Sequence, residues 1–369
     1  MSDDLNEIQE SFATAFERNI DPLEQYEPHF QSVEHDPLDF FVAKVPKASG
    51  VAQSTLDGYR ATFNDWRAFM NEVAGRHPAC PSEQHVAQWI RWLSEERGNE
   101  DSTITGKLIH LNAAYKFWQK EASFPHGKDF NPVQSAWDSW ESNPVEKEEH
   151  RTTIEDLRRA VNGVKSIRDR SYVVLGLKLG LRVGEVRNIR LEDIAISAQE
   201  LNEHYTQMGT AAPVRDRENC IYIPHDRDGN KSLRPRVLPL DAEVRRELRR
   251  WLLIRPDADQ PWAYLGKTRH EQLDSKDINR AWQEAFSDYG ETEKHKPITS
   301  HYGRHRFTTY WRVERDLNRD LVKYMRGDKM NNAVAAGDGK FDAIDAYIHT
   351  YYEDIEDVYR NEIFRLRLD

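Results

Sequence analysis

The sequence predicts a mainly α-helical protein of two domains, the second carrying a small antiparallel β-sheet. Three observations lead there. Apolar residues recur at spacings of three and four through residues 54–118, a charged linker follows near 143–150, and beyond it two short strand-like runs, CIYIP and RVLPL, sit among further helical periodicity.

Residues 1–50 hold eleven Asp/Glu against three Lys/Arg, so about -8 of the chain's formal net charge of -11 lies there. With isolated aromatics and prolines in stretches such as DPLEQYEPHF, this part reads as a flexible or loosely docked acidic arm. A first helix begins at Ser54-Thr55 and presents Leu56, Tyr59, Phe63, Trp66 and Phe69 on one face. Val86, Trp89, Ile90 and Leu93 repeat the pattern in a second helix. A third runs through Ile104, Leu108, Leu111, Tyr115 and Trp118 until Asn131-Pro132 ends the run. Residues 51–145 therefore read as one helical domain, and residues 150–369 as another.

In the second domain, Thr153-Ile154-Glu155-Asp156 starts a helix, and YVVLGLKLGL is an apolar helix that stops at Gly180 with Arg182 just beyond it. CIYIP (220–224) and RVLPL (236–240) flank the polar, Gly-containing HDRDGNKSLRP and together read as a hairpin. From Asp241 onward the periodicity is mostly helical.

Composition narrows the function. An apolar fraction of 38% and ten tryptophans fit a folded chain, not wholesale disorder. No run approaches the roughly 18 apolar residues of a membrane span, and MSDDLNEIQE is acidic where a signal peptide is basic, so the sequence reads as cytoplasmic with no membrane partner. Cys80 and Cys220 each lack a CxxC partner, which argues against a disulfide framework or a Cys-rich zinc site. Seventeen lysines against 35 arginines, with many acids, suit solubility in high salt. The acidic total argues against indiscriminate nucleic-acid binding while leaving room for a local basic cleft.

Against that background HYGRHRF (301–307) gathers two histidines and two arginines into seven residues. Zinc binding by His301 and His305 at i, i+4 lacks the Glu of HExxH and an obvious third ligand. A solvated basic face is the other plain reading, as a helix-capping role is for Arg182 and an exposed turn position is for Lys231. Phosphate chemistry asks for two cations and a proton carrier around one anion, which Arg182, Arg304 and His301 would supply.

Taken together, the boxes resemble those of the tyrosine recombinases, the phage integrases and Xer-type enzymes. GLRVGEVRNIRLEDI around Arg182 and Glu185 resembles the first arginine box of that family, and HYGRHRF fits its H-x-x-R-H-x-F box with His301, Arg304 and His305 in register. Lys231, eight residues before Pro239 of RVLPL, matches the hairpin lysine, and Tyr347-Ile348-His349 resembles the Y-x-H element that carries the nucleophile. Tyr351 and Tyr352 remain alternatives to Tyr347. The acid-rich, lysine-poor composition is similar to that of salt-adapted archaeal members.

The resemblance implies a SAM-like helical DNA-binding domain before a catalytic domain of the DNA breaking-rejoining fold, the two forming a C-shaped clamp. It implies double-stranded DNA with a specific target as substrate, a tetramer on DNA, and a 3'-phosphotyrosyl intermediate with neither metal nor cofactor. Arg182, Lys231, His301, Arg304 and Tyr347 would be catalytic, with Glu185 and His305 holding them in place and the helix after Tyr347 docking on a neighbouring subunit. A non-catalytic DNA-binding relative and a type IB topoisomerase are the alternatives. One position departs from the family. Its usual Leu-Gly-His or Leu-Gly-Trp, which hydrogen-bonds the phosphate, is here Arg326-Gly327-Asp328, and an ionised Asp328 repels phosphate. On that reading Lys329 or His349 replaces the donor, or the site works with fewer contacts.

Overall fold

The structure, a computed structural model, describes residues 8, 11–142, 147–328 and 352–368. The chain divides into two compact units, Met1–Val145 and Glu146–Asp369.

The first unit is all helical: α1 (Glu27–Gln31), α2 (Pro37–Lys44), α3 (Gln53–Phe69), α4 (Glu83–Glu95), α5 (Asp101–Trp118) and α6 (Pro132–Asp138). The helix faces expected from periodicity form its core. Phe63, Trp66 and Phe69 of α3, Val86, Trp89 and Leu93 of α4, and Leu108, Leu111, Tyr115 and Trp118 of α5 are all buried. Trp66 packs edge-on against Trp89 with ring centroids 5.0 Å apart, so α3 and α4 meet through their largest side chains. Ser82 caps α4 by accepting from the His85 backbone N–H, while His85 Nδ1 accepts from the Ser82 N–H in return.

The acidic segment differs from the expected loose arm over much of its length. Leu23, Phe30, Leu38, Phe41 and Val42 are buried in the same core as the tryptophans. The reason is charge pairing combined with a local helix signal. Asp36 caps α2 by accepting from the Leu38 and Asp39 N–H groups, Pro37 preorganises its first turn, and both carboxylate oxygens of Asp36 take hydrogen bonds from Arg67 of α3 at 2.8 Å. Asp21 pairs likewise with Arg76, at 2.8 and 3.0 Å, and Glu27 accepts from the His77 N–H. The acids that made the segment look like a solvated tail are what fasten it to the helices behind it.

The second unit wraps helices around a three-stranded antiparallel sheet in the order β1 (Ile194–Ala195), β2 (Cys220–Ile223), β3 (Arg236–Pro239). Its register pairs Ile194 with Ile221 and Tyr222 with Val237, which confirms the hairpin and adds a two-residue strand. Its helices are α7 (Ile154–Gly163), α8 (Ile167–Leu179), α9 (Val183–Arg187), α10 (Gln199–His204), α11 (Ala242–Ile254), α12 (Ser275–Ala285), α13 (Ser300–Thr309), α14 (Arg319–Arg326) and α15 (Tyr352–Glu362). Residues 168–179 of α8 are all buried, which makes that helix the axis of the unit. Burying Lys178 in it requires counter-charge, supplied by Asp241 and Glu243 on the edge of α11.

The described part of the terminal helix, expected to dock on a neighbouring subunit, packs its apolar face within its own chain. Tyr352, Ile355 and Tyr359 of α15 are buried, and the Tyr359 hydroxyl donates to the Lys178 carbonyl at 3.0 Å. The tail beyond follows: Phe364, Leu366 and Leu368 are buried, and Glu243 accepts from the Leu366 and Arg367 N–H groups. An apolar helix face serves either a neighbour or its own domain, and here Tyr359 finds its acceptor on α8.

One buried histidine gives the first unit a pH dependence. His126, 5% exposed, lies among Phe30, Tyr115, Trp118 and Phe124, with Nε2 2.8 Å from the Ala79 carbonyl and Nδ1 without a partner among the described residues. Burial pushes its pKa down to about 4 from 6.5. The folded form thus prefers neutral imidazole, and its stability is complete above pH 6.5 and lost as pH falls toward 4. We expect a loss of ~3 kcal/mol over that window, read from urea midpoints, and a correspondingly shallower slope in His126→Gln.

Candidate functional site: a two-arginine anion cleft

Two glycine contacts bring the two arginine boxes together. A Cβ on Gly303 of α13 would lie 2.4 Å from the ring of Trp282, and one on Gly176 of α8 would lie 2.6 Å from the same ring. Only hydrogens at both positions let α8 and α13 close on the edge of that indole. The contact brings Arg304 of α13 against the end of α8: it is 3% exposed, and its Nη1 donates to the Gly180 carbonyl at 2.9 Å.

Arg182 begins α9 two residues after Gly180. Its backbone N–H donates to Glu185 Oε2 at 2.9 Å and its Nη1 to Oε1 at 3.3 Å, so one carboxylate fixes both the turn and the guanidinium. Glu185 is 1% exposed and answers to a second cation, Arg236 of β3, whose Nη2 donates to Oε2 at 2.9 Å. Burial alone raises a carboxyl pKa, but Arg236 and the Arg182 N–H outweigh it and hold Glu185 below the usual range, ionised at neutral pH.

The free ends of both guanidinium groups meet on one atom. Arg182 Nη2 and Arg304 Nη2 donate to Asp328 Oδ1 at 3.0 and 2.6 Å. Arg304 also donates to the Arg326 carbonyl at 2.9 Å, which ties the Asp328 segment to α13. Burial and the neighbouring charges of Arg182 and Arg326 push the Arg304 pKa down to about 9, still protonated at pH 7. The residue that the sequence marks as repelling a phosphate is therefore the shared acceptor of both guanidinium groups.

The hairpin is pinned to this cleft on both sides of Lys231. Before it, a Cβ on Gly184 would lie 2.4 Å from the Gly229 carbonyl oxygen, and Asn188 donates to the Asp228 carbonyl at 2.7 Å and to Asn230. After it, the Leu233 N–H donates to the Gly327 carbonyl at 2.9 Å. Lys231 is thus exposed on a short span between a contact near Arg182 and a contact beside Asp328. His301, one turn before Arg304 on α13, is exposed too, and burial of part of its ring together with His305, Arg304 and Arg182 lowers its pKa, leaving it neutral at pH 7.

His305 was expected to help hold the catalytic groups in place. It is exposed one helical turn on, its ring edge-on to that of His301 with centroids 4.5 Å apart, because i and i+4 share a helix face. Tyr352 has its hydroxyl engaged, donating to Glu356 Oε1 at 2.9 Å with Arg360 Nη2 at 3.3 Å, and burial raises its pKa above the ordinary value. Tyr347, His349, Tyr351 and Lys329 lie outside the described residues. Two members of the cluster escape the sequence reading. Arg236 opens RVLPL and Arg326 opens the Arg326-Gly327-Asp328 stretch, but neither was given a role there, and only the pairing of β3 with the turn after α14 shows that Arg236 reaches Glu185 and, through Nε, the Met325 carbonyl at 2.8 Å.

The phage integrase family profile matches residues 150–329, and the profile of the phage integrase N-terminal SAM-like domain matches residues 38–122. The chain belongs to the phage integrase family. No curated protein matches it in sequence.

Solved structures share the fold. A lambda integrase tetramer bound to a Holliday junction aligns with a TM-score of 0.56 at 17% identity, covering 90% of each chain. A lambda integrase dimer bound to a COC' core site aligns with a TM-score of 0.55 at 16% identity over 80% of this chain and 95% of that one. The Tn1549 transposon integrase in complex with transposon right-end DNA gives 0.56 at 16%, over 87% and 97%.

The close approach at Trp282 gives a direct test. Gly303→Ala forces a methyl into the indole, and we expect it to lower stability by about 1–3 kcal/mol in urea denaturation, with a smaller loss in a Trp282→Phe background. Equal losses in both backgrounds would show that the contact does not set the helix approach.

Proposed function

We propose that the protein is a site-specific DNA recombinase that cleaves and rejoins strands through a 3'-phosphotyrosyl intermediate. One observation carries the reading: Arg182 and Arg304 converge on a single carboxylate oxygen, at 3.0 and 2.6 Å, with every other hydrogen bond they make holding them in that aim. Two guanidinium groups fixed on one anionic oxygen are what a phosphodiester needs as charge builds on its non-bridging oxygens, and fixed donors avoid reorganisation during the reaction. Membership of the phage integrase family, whose matched neighbours are integrases bound to DNA, supports double-stranded DNA as the substrate and a homo-oligomer as the working form. Among the described residues, no helix is long and apolar enough to cross a membrane.

The residues divide the chemistry as follows. The Tyr347 oxygen forms a bond to phosphorus while the bond from phosphorus to the 5'-oxygen breaks. The phenol proton passes to His301, which is neutral and so able to accept it, and Lys231 supplies a proton to the departing 5'-oxygen. Attack by a 5'-hydroxyl from a partner duplex then releases the tyrosine and reseals the strand. The phosphodiester bond energy is kept in the covalent link, so the cycle needs no nucleotide. Glu185 and Arg236 act at one remove, by holding Arg182 and the Asp328 segment in place.

A nicked duplex carrying the protein's target site, which loses its short strand on cleavage, separates catalysis from binding. The wild type should form a covalent adduct that survives a denaturing gel, Tyr347→Phe should form none, and Tyr352→Phe should keep it. Binding without any wild-type adduct would favour the non-catalytic reading, and an adduct in Tyr347→Phe would move the nucleophile. Relaxation of supercoils without a defined site would favour the topoisomerase.

A further inference from the structure

Of the two cations in the cleft that the sequence boxes leave without a role, Arg236 pairs with Glu185 and Arg326 faces Asp328. Arg326 ends α14, where its Nη1 donates to Thr308 Oγ1 at 3.0 Å. Its Nε lies 2.8 Å from Asp328 Oδ2, yet the direction is wrong for a hydrogen bond, and among the described residues this buried N–H has no acceptor. A buried donor left unmatched is costly, so it persists where something else satisfies it. Three guanidinium groups therefore face one carboxylate, two on Oδ1 and one beside Oδ2.

A carboxylate and a phosphodiester share the relevant chemistry: two terminal oxygens and one negative charge. They cannot both occupy the cleft, since two anions at contact repel. The backbone around Asp328 is fixed independently of its side chain, by the Asp328 N–H on the Lys323 carbonyl at 3.0 Å and by the Leu233 N–H on the Gly327 carbonyl. The side chain is 26% exposed, so it can turn to solvent without undoing that turn.

We propose that Arg326 is a third phosphate-binding residue of this site, and that Asp328 is a resident anion which a DNA phosphate displaces from the Arg182, Arg304 and Arg326 cluster. The inference rests on the reading of the cleft as a phosphate site. It answers the missing Leu-Gly-His or Leu-Gly-Trp donor from within the described residues: the replacement lies two positions earlier, on Arg326, and becomes free when Asp328 leaves. Asp328 also makes every phosphate compete for entry, which lowers affinity for DNA that offers no further contacts.

The test is fluorescence anisotropy of the full chain on a short duplex of arbitrary sequence over a range of salt concentrations. Asp328→Asn, which keeps the shape and removes the charge, should bind about tenfold more tightly, and Asp328→Ala likewise. Arg326→Gln should bind about tenfold more weakly, with the slope of log affinity against log salt reduced by ~0.9, one phosphate contact. Arg326→Lys should recover the slope, which a purely structural role would not predict. Arg326→Gln in the Asp328→Asn background should cancel most of the gain. Wild-type affinity and slope in Arg326→Gln, or no tightening in either Asp328 variant, would overturn the proposal. Arg182→Gln separates the two levels: a reduced slope there with none in Arg326→Gln overturns only this inference, and an unchanged slope in both overturns the phosphate site itself.

Discussion

The buried carboxylate of Glu185 is the constraint from which the rest of the site follows. Arg182 and Arg304 repel one another, and holding both with their free ends on one point requires fixed negative charge that does not occupy that point. Glu185 supplies it from below: ionised by Arg236, hydrogen-bonded to the Arg182 backbone and side chain, and shielded from water. Removing it would leave Arg236 buried and unpaired on one side and Arg182 free to turn on the other. The Arg304 side of the cleft is set differently, by backbone carbonyls at Gly180 and Arg326, which orient a guanidinium without neutralising it. The site thus keeps its positive charge available while every cation in it is held.

This arrangement links the sheet to the chemistry. β3 contributes Arg236 at its start, and the hairpin between β2 and β3 carries Lys231 on a span fastened at Gly184 and at Gly327. The same Gly327 closes α14 in the left-handed conformation, at φ 66°, and a Cβ there would lie 2.3 Å from Arg236 Nη1. A change at Gly327 therefore acts on the cap, on the Glu185 pair and on Asp328 together.

Much of this was legible in the sequence where it depended on local pattern. The helix faces around Phe63, Trp89 and Leu108, the stop at Gly180, and the hairpin of CIYIP and RVLPL follow from period and turn chemistry, which one chain displays in full. Arg182 and Arg304 were legible because their boxes are local too. What stayed hidden depends on residues distant in sequence. Arg236 gains meaning only opposite Glu185, 51 positions earlier. Asp36 and Asp21 looked like the charge of a tail until Arg67 and Arg76 faced them. His305 was read from its role in the box as holding the catalytic groups in place, whereas helical spacing puts its ring beside that of His301 on the same exposed face. The apolar face of α15 was equally suited to a neighbour or to its own chain, and composition could not choose between them.

The central claim is that the cleft between Arg182 and Arg304 receives a DNA phosphate. A crystal structure of the full chain trapped on a nicked duplex tests it most directly. The expected result is the non-bridging oxygens of the scissile phosphate within hydrogen-bond distance of both guanidinium groups, with the Asp328 carboxylate turned out of the cleft. A scissile phosphate bound elsewhere while Asp328 still bridges Arg182 and Arg304 would contradict it.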